Sequence, residues 1–250
     1  MFRKRILITG ASSGLGEEMA RQFAAKGHDL ALCARRLERL SALRTEILAE
    51  HPDRTVVVRQ LDVDDHDAVF TVFGDVAAEL SGIDRVIVNA GIGKGAQIGT
   101  GRFDANRQTA MTNFVSALAQ CEAGMEIFRK ASAGHLVVIC SMGALRGLPR
   151  TLTTYAASKA GLAALAEGIR ADVLGSAIVV TTIYPGYIAS EMNDQVAQKT
   201  PMMSDTQTGV RAIVRAIERE PAHAKVPPWP WIPLSVVLRH APLRVIRKFG

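Results

Sequence analysis

Short apolar runs and longer amphipathic stretches alternate along the chain from residue 5 onward. The short runs, at 5–9, 29–34, 55–60, 85–88, 135–140 and 178–184, read as continuous apolar runs rather than alternating ones, with most polar residues at their ends. Unbroken apolar character over that length suits strands covered on both faces. The segments between them repeat with helical periodicity. One covers 17–26; another covers 36–50, with Leu37, Leu40, Leu43 and Ile47 spaced along one face. Repeated strand–helix–strand units predict an α/β fold, a doubly wound parallel sheet with helices on both sides. Neither a repeat nor a low-complexity linker interrupts residues 1–226, which are expected to form one domain. The pattern changes near residue 221. Residues 222–226 fit a last strand, and 227–250 form a tail with Pro, Trp and basic residues but no acid.

Apolar residues make up 48% of the chain, enough to fill a large core, yet no apolar run reaches the ~20 residues that span a bilayer. At the start, Arg3-Lys4-Arg5 precede only three aliphatic residues before Thr9-Gly10, which reads as a first strand and not as an export signal. Cys33, Cys121 and Cys140 lie far apart and form no CxxC pair, so reduced thiols and a cytoplasmic location are expected. The net charge of +6 suggests an anionic partner until it is located. Lys225, Arg239, Arg244, Arg247 and Lys248 carry it, and without them the first 220 residues are close to neutral. A charge confined to the tail, with no recognition motif, argues against nucleic-acid binding. The histidines show no metal-ligand spacing, and no metal is expected.

Chemistry first appears where the first strand meets the first helix. Gly10, Ser12, Ser13, Gly14, Leu15 and Gly16 lie in the run TGASSGLG at 9–16. A turn this tight needs residues without Cβ, and it brings backbone N–H groups and a helix N-terminus against an anion, most often a pyrophosphate. The end of the second strand then selects the dinucleotide. An acid there would hold a ribose 2′-hydroxyl, but the sequence has Arg35-Arg36. Two guanidinium groups suit the 2′-phosphate of NADP(H), with Ser12 or Ser13 adding a hydrogen bond. Tyr155 and Lys159 stand four apart on one helical face. An ammonium near a phenol stabilises the phenolate, so Tyr155 is expected to exchange a proton with a carbonyl oxygen as hydride reaches its carbon.

At these residues the sequence resembles the short-chain dehydrogenase/reductase family, from about residue 5 to residue 192. The motifs occur in order: TGASSGLG at 9–16, LDV at 61–63, NAG at 89–91, Asn113, Ser141, YAASK at 155–159 and PGYIASEM at 185–192. The resemblance implies a Rossmann fold and a division of labour. Ser141 would orient the substrate carbonyl beside Tyr155, and Lys159 would bind the nicotinamide ribose as well as tune the phenol. Asn113 would kink its helix and hold a water in a proton relay. Asp62 and Val63 would flank the adenine, and Asn89, Ala90 and Gly91 would line the cofactor. Pro185, Gly186 and Ser190 would secure the nicotinamide end. The reaction implied is NADPH-dependent reduction of a ketone or aldehyde.

The sequence departs from the family pattern in three places. Cys140 replaces a frequent second serine, and Ser190 stands where threonine is usual; both retain the chemistry implied. The ending after residue 226 is unlike the common one, which puts the usual tetramer in doubt and leaves a homodimer through the helices around Asn113 and Tyr155. In the tail, Leu234, Val237, Leu238, Ala241 and Val245 fall near one helical face, in a segment that Pro242 must kink or divide. With two tryptophans and cations, that face suits a membrane interface; folding over the active-site edge or a subunit contact are the alternatives. Residues 192–208, with Met202 and Met203, correspond to a loop over the substrate, and Met142 and Tyr187 are expected near the carbonyl. Thioethers and an aromatic ring favour a bulky apolar substrate. A non-catalytic NADP-binding regulator or scaffold is the rival reading, against which the complete Ser141/Tyr155/Lys159/Asn113 set argues. An isomerase or epimerase on the same fold has little room for a larger substrate domain.

Overall fold

In a computed structural model of the protein, which describes residues 3–93, 95–189, 191 and 203–247, the apolar runs collect into one seven-stranded sheet. Its strands are β1 (Arg5–Thr9), β2 (Asp29–Ala34), β3 (Val56–Gln60), β4 (Arg85–Val88), β5 (Ala133–Ile139), β6 (Ala177–Pro185) and β7 (His223–Val226). They lie in the order β3-β2-β1-β4-β5-β6-β7, every pair parallel. The winding direction reverses between β1 and β4, and a crevice forms beyond the strand ends at such a reversal. The expected strands are all present, with ends shifted by one or two residues; Cys140 falls just outside β5.

Although the runs look uniform in sequence, successive side chains go to opposite faces. Leu7, Ala31, Val86, Leu136 and Val138 face α3 (His66–Glu79), α5 (Ser116–Ala131) and α6 (Thr153–Asp172). Ile6, Ile8, Leu30, Leu32, Ile87 and Val137 face α1 (Gly14–Ala25), α2 (Leu37–Glu50) and α7 (Thr206–Glu218). Helix α4 (Phe103–Ala110) continues into α5 through a π-helical turn at Met111–Val115.

The tail folds onto the domain as α8 (Pro228–His240) and α9 (Leu243–Ile246), with Pro242 dividing them as its ring demands. Its orientation corrects the expected face. Trp231, Ser235, Leu238, Ala241 and Ile246 are buried, whereas Val237 and Val245 point outward. The indole of Trp231 sets this rotation, because it fills the space beside Gly186.

At the opposite end of the sheet from the crevice, polar groups are buried in a paired network. Arg85, 2% exposed, donates from Nε to His135 Nδ1 (2.9 Å) and lies 3.5 Å from both Glu218 and Glu220. Since Nδ1 accepts, Nε2 carries the proton and donates to Thr181 Oγ1 (2.9 Å). Burial, then Arg85 and Arg3, hold His135 well below its usual pKa. His135 therefore binds a proton more readily when unfolded, and its stabilising contribution is present above about pH 6.5 and lost as the pH falls towards the folded value. His28 shifts in the same direction, chiefly through burial. Replacing His135 by Gln, which keeps one donor and one acceptor, is expected to flatten the loss of stability between about pH 7 and pH 5 by up to ~1.4 kcal/mol per pH unit. Urea unfolding at both pH values measures this; equal slopes for the two proteins would refute it.

Candidate active site

The Gly-rich turn joins β1 to α1 at the reversal point. Gly10 has φ +64°, and a Cβ there would lie 2.9 Å from the Ala90 backbone. Gly16 packs so closely under the turn that a Cβ would collide with the Gly10 carbonyl and the Asn89 amide. Ser13, the N-cap of α1, makes no side-chain cap bond, and the N–H groups of Gly14, Leu15 and Gly16 have no helical carbonyl to bond. Bare N–H groups beside a turn with no room for side chains fit the pyrophosphate of a dinucleotide.

Two hydrogen-bond sets hold this turn against β4. Thr9 Oγ1 accepts the N–H groups of Asn89 (3.0 Å) and Ala90 (3.1 Å). The Asn89 amide in turn donates to the carbonyls of Thr9 (2.9 Å) and Gly10 (3.3 Å). Arg36 reaches back over the turn from the end of β2, donating to Ser13 Oγ (2.7 Å) and Ser12 Oγ (3.2 Å). Arg35 is exposed beside it. Glu191 pairs with Arg36 (3.2 Å) and Arg39 (2.6 Å), a cation the sequence reading did not single out. Asp62 is exposed and Val63 buried after β3. Asp62 accepts from the Asp64 N–H (3.2 Å), while the cap of α3 is Asp65, bonded by the Ala68 N–H (3.1 Å).

The candidate catalytic residues meet beyond β4 and β5. Asn113 is fully buried in the π-helical turn, where it bonds both backbone groups of Ile92: Oδ1 accepts the N–H (2.8 Å) and Nδ2 donates to the carbonyl (2.8 Å). A π turn rotates and widens the helix at one point, here at Asn113. Lys159 is buried and donates from Nζ to the Ile139 carbonyl (3.0 Å). A methyl at Gly91 would lie 3.5 Å from that Nζ and 3.0 Å from Asn113 Oδ1, so both line the same pocket. Ser141 caps a short 3-10 turn, Met142–Leu145, by accepting the Gly143 N–H (3.0 Å). A methyl at Gly143 would lie 3.4 Å from Ser141 Oγ and 3.5 Å from the Tyr155 ring, so the two side chains face the same space.

Burial raises the Tyr155 pKa above its usual value; the Ser141 side chain opposes this, and Cys140 and Tyr187 reinforce it. Burial also depresses the Lys159 pKa, and its ammonium bonds the Ile139 carbonyl. Burial likewise pushes Cys140 up to about 11. A phenol in this setting is protonated at neutral pH and available as a donor.

Residues 4–201 match the model of the short chain dehydrogenase family. The chain belongs to that family. An uncharacterized oxidoreductase of Mycobacterium tuberculosis is 51% identical over 248 residues, covering 99% of this chain and 98% of the relative. A short chain dehydrogenase/reductase from Burkholderia phymatum, solved with NAD, superposes with a TM-score of 0.86 over 99% of this chain and 97% of its own, at 20% identity. An alcohol dehydrogenase from Thermococcus sibiricus, complexed with 5-hydroxy-NADP, gives 0.78 over 89% and 95%, at 22% identity. This short-chain dehydrogenase is thus an oxidoreductase with a fold that binds a nicotinamide cofactor and acts on small molecules.

The far wall of the dehydrogenase's crevice comes from the end of β6 and the tail. Gly186 donates its N–H to the Val226 carbonyl (2.8 Å) at the end of β7. A Cβ at Gly186 would fall inside the Trp231 ring, and Tyr187 meets that ring edge-on at 5.5 Å. Arg146, just past the Ser141 turn, donates to the carbonyls of Arg239 (3.0 Å) and Ala241 (3.1 Å) at the end of α8. Met142 is buried beneath the Ser141 turn. Ser190, Met192 and Met202 lie outside the described residues, as does most of 192–208. Neither Trp231 nor Arg146 carried a motif; only the glycine after Pro185 hinted that something bulky approaches.

The indole N–H of Trp231 is buried without a partner among the described residues, so the ring acts by volume and not by hydrogen bonding. Trp231→Ala is expected to cost about 3–5 kcal/mol of stability, and Trp231→Phe less than about 1.5 kcal/mol. Denaturant titration tests this, and equal losses in the two variants would contradict it.

Proposed function

We propose that the protein reduces an apolar ketone or aldehyde to the alcohol with NADPH. The observation that carries this reading is the convergence of Ser141 Oγ and the Tyr155 ring beside Gly143, with Lys159 buried on the next helical turn. When bound, the nicotinamide supplies the hydride. Ser141 and the Tyr155 hydroxyl orient the carbonyl oxygen, and Tyr155 donates its proton as negative charge develops there. The raised phenol pKa supports this direction, since a donor must be protonated before the reaction. Lys159 binds the ribose and, with Asn113 and a water, returns a proton to the phenol.

Cofactor roles follow the strand ends. Gly10, Gly14, Leu15 and Gly16 hold the pyrophosphate, Asp62 and Val63 the adenine, and Asn89, Ala90 and Gly91 the adjoining face. Pro185, Gly186 and Ser190 secure the carboxamide end. NADPH preference rests on Arg36, whose bonds to Ser12 and Ser13 gather one guanidinium and two hydroxyls at the mouth of the turn, with Arg35 beside them. Met142, Tyr187 and Trp231 support an apolar substrate. Exposed Phe103, Met111 and Val115 near the π turn support a homodimer through this side of the molecule. We place the protein in the cytoplasm, with peripheral membrane contact through the tail.

Two measurements test the reading. Tyr155→Phe should lower turnover of hydrophobic ketones by about 10²–10⁴-fold while NADPH binding persists. Tight NADPH binding without turnover of any carbonyl, even by the parent protein, would favour the regulatory role instead. Arg36→Ser should lower kcat/KM for NADPH by about tenfold or more and leave NADH little changed, because only NADPH carries the phosphate that the guanidinium pairs with. Equal losses for both would remove the assignment.

A further inference from the structure

Six of the thirteen exposed large apolar side chains among the described residues fall within the tail: Trp229, Ile232, Val236, Val237, Leu243 and Val245. Trp229 is 78% exposed and Leu243 71%, whereas Trp231, two residues on from Trp229, is 4% exposed. The tail has therefore been divided by folding. One face packs on the domain, and the other gathers apolar groups at a density that marks an interaction surface.

Charge identifies the occupant. Arg239, Arg244 and Arg247 are exposed among these side chains, and no Asp or Glu occurs from residue 221 to the end. Lys225 is not part of this surface, because its ammonium is turned inward to Ser235 Oγ (2.6 Å). A second copy bound across a two-fold axis would set these arginines against their own counterparts. A bilayer with anionic headgroups satisfies both features: the aliphatic groups enter the acyl boundary, the indole sits at headgroup depth, and the guanidiniums face phosphate. We infer that the outward face of α8 and α9 docks the protein onto an anionic lipid surface.

Docking through this face has a structural consequence. Arg146 holds the last carbonyls of α8, Trp231 fills the place beside Gly186, and Lys225 bonds Ser235, so the tail is fixed to the domain at three points. Two of these adjoin the Ser141 turn and Tyr187. The docked face consequently lies at the crevice end of the sheet and holds that end near the bilayer. Under the reductase reading, this places the crevice where a membrane-dissolved carbonyl compound would arrive; the docking itself does not depend on that reading.

The experiment uses the full chain and two vesicle preparations, phosphatidylcholine alone and phosphatidylcholine with about one quarter phosphatidylglycerol. Co-sedimentation at low salt should show binding to the anionic vesicles at least about tenfold tighter than to the neutral ones, weakening as salt is added. Emission should shift to the blue on binding, and Trp229→Phe should remove the shift, because Trp231 is buried with or without lipid. A Val236→Glu/Val237→Glu variant, changed only at exposed positions, should keep its unfolding midpoint and lose about tenfold or more in vesicle affinity. No pelleting with either preparation, or undiminished binding by the double variant, would overturn the inference. So would a dimer in ultracentrifugation that the double variant splits while vesicles bind neither protein, since the face would then belong to a second copy. Vesicle binding that persists in a protein with no carbonyl turnover would count against the reductase reading alone.

Discussion

One threonine hydroxyl sets the geometry on which the rest of the crevice depends. Thr9 Oγ1 donates to the Ile87 carbonyl (3.3 Å) and accepts two N–H groups from Asn89 and Ala90, tying the end of β1 to the end of β4 where the sheet reverses its winding. The connection brings the following turn so close to Ala90 and Asn89 that side chains are excluded at Gly10 and Gly16. The same closeness leaves backbone N–H groups as the chemistry presented at that point. A turn that offers main-chain donors suited to an anion is thus a consequence of strand contact, and it needs no charged side chain.

From that fixed point the candidate catalytic side chains are reached through backbone as well. Ile92, one residue past the Asn89-Ala90-Gly91 segment, is bonded on both sides by Asn113, and Lys159 bonds the carbonyl of Ile139. Each buried polar group therefore locks a helix to the end of a specific strand. Unmade bonds of this kind in the interior are costly, so the arrangement resists local sliding of α5 and α6. Tyr155, one turn before Lys159 on α6, inherits its position from that lock. Its protonated state has a separate origin, burial, which acts through desolvation whatever the helix register.

The tail completes the crevice by a different physical means. Trp231 contributes volume, and Arg146 neutralises the carbonyl end of α8 from a loop about ninety residues earlier in the chain. Both contacts join the tail to the loops after β5 and β6. The relative in Mycobacterium tuberculosis covers this region too, since 99% of the chain aligns with it.

Much of this was legible in the residues. Aliphatic runs determined the strands, because β-branched and aliphatic residues without alternation fit only strands covered on both sides, and six of them appear almost where expected. The glycine spacing, Arg35-Arg36 and the Tyr155/Lys159 interval named the crevice residues, because local spacing is preserved by turns and helices. What required the tertiary structure were relations between distant segments. Thr9 belongs to a recognisable motif, yet its grip on Asn89 and Ala90 spans eighty residues. Lys159 stands four residues from Tyr155, yet its bond to the Ile139 carbonyl joins α6 to β5 across twenty residues. Helical spacing grouped Val237 and Val245 with Leu238 and Ala241, whereas folding buries the latter two and turns the former outward, because periodicity defines the angles between side chains and leaves the rotation of the helix open. The rotation was decided by the space beside Gly186, just past β6, which the Trp231 indole fills.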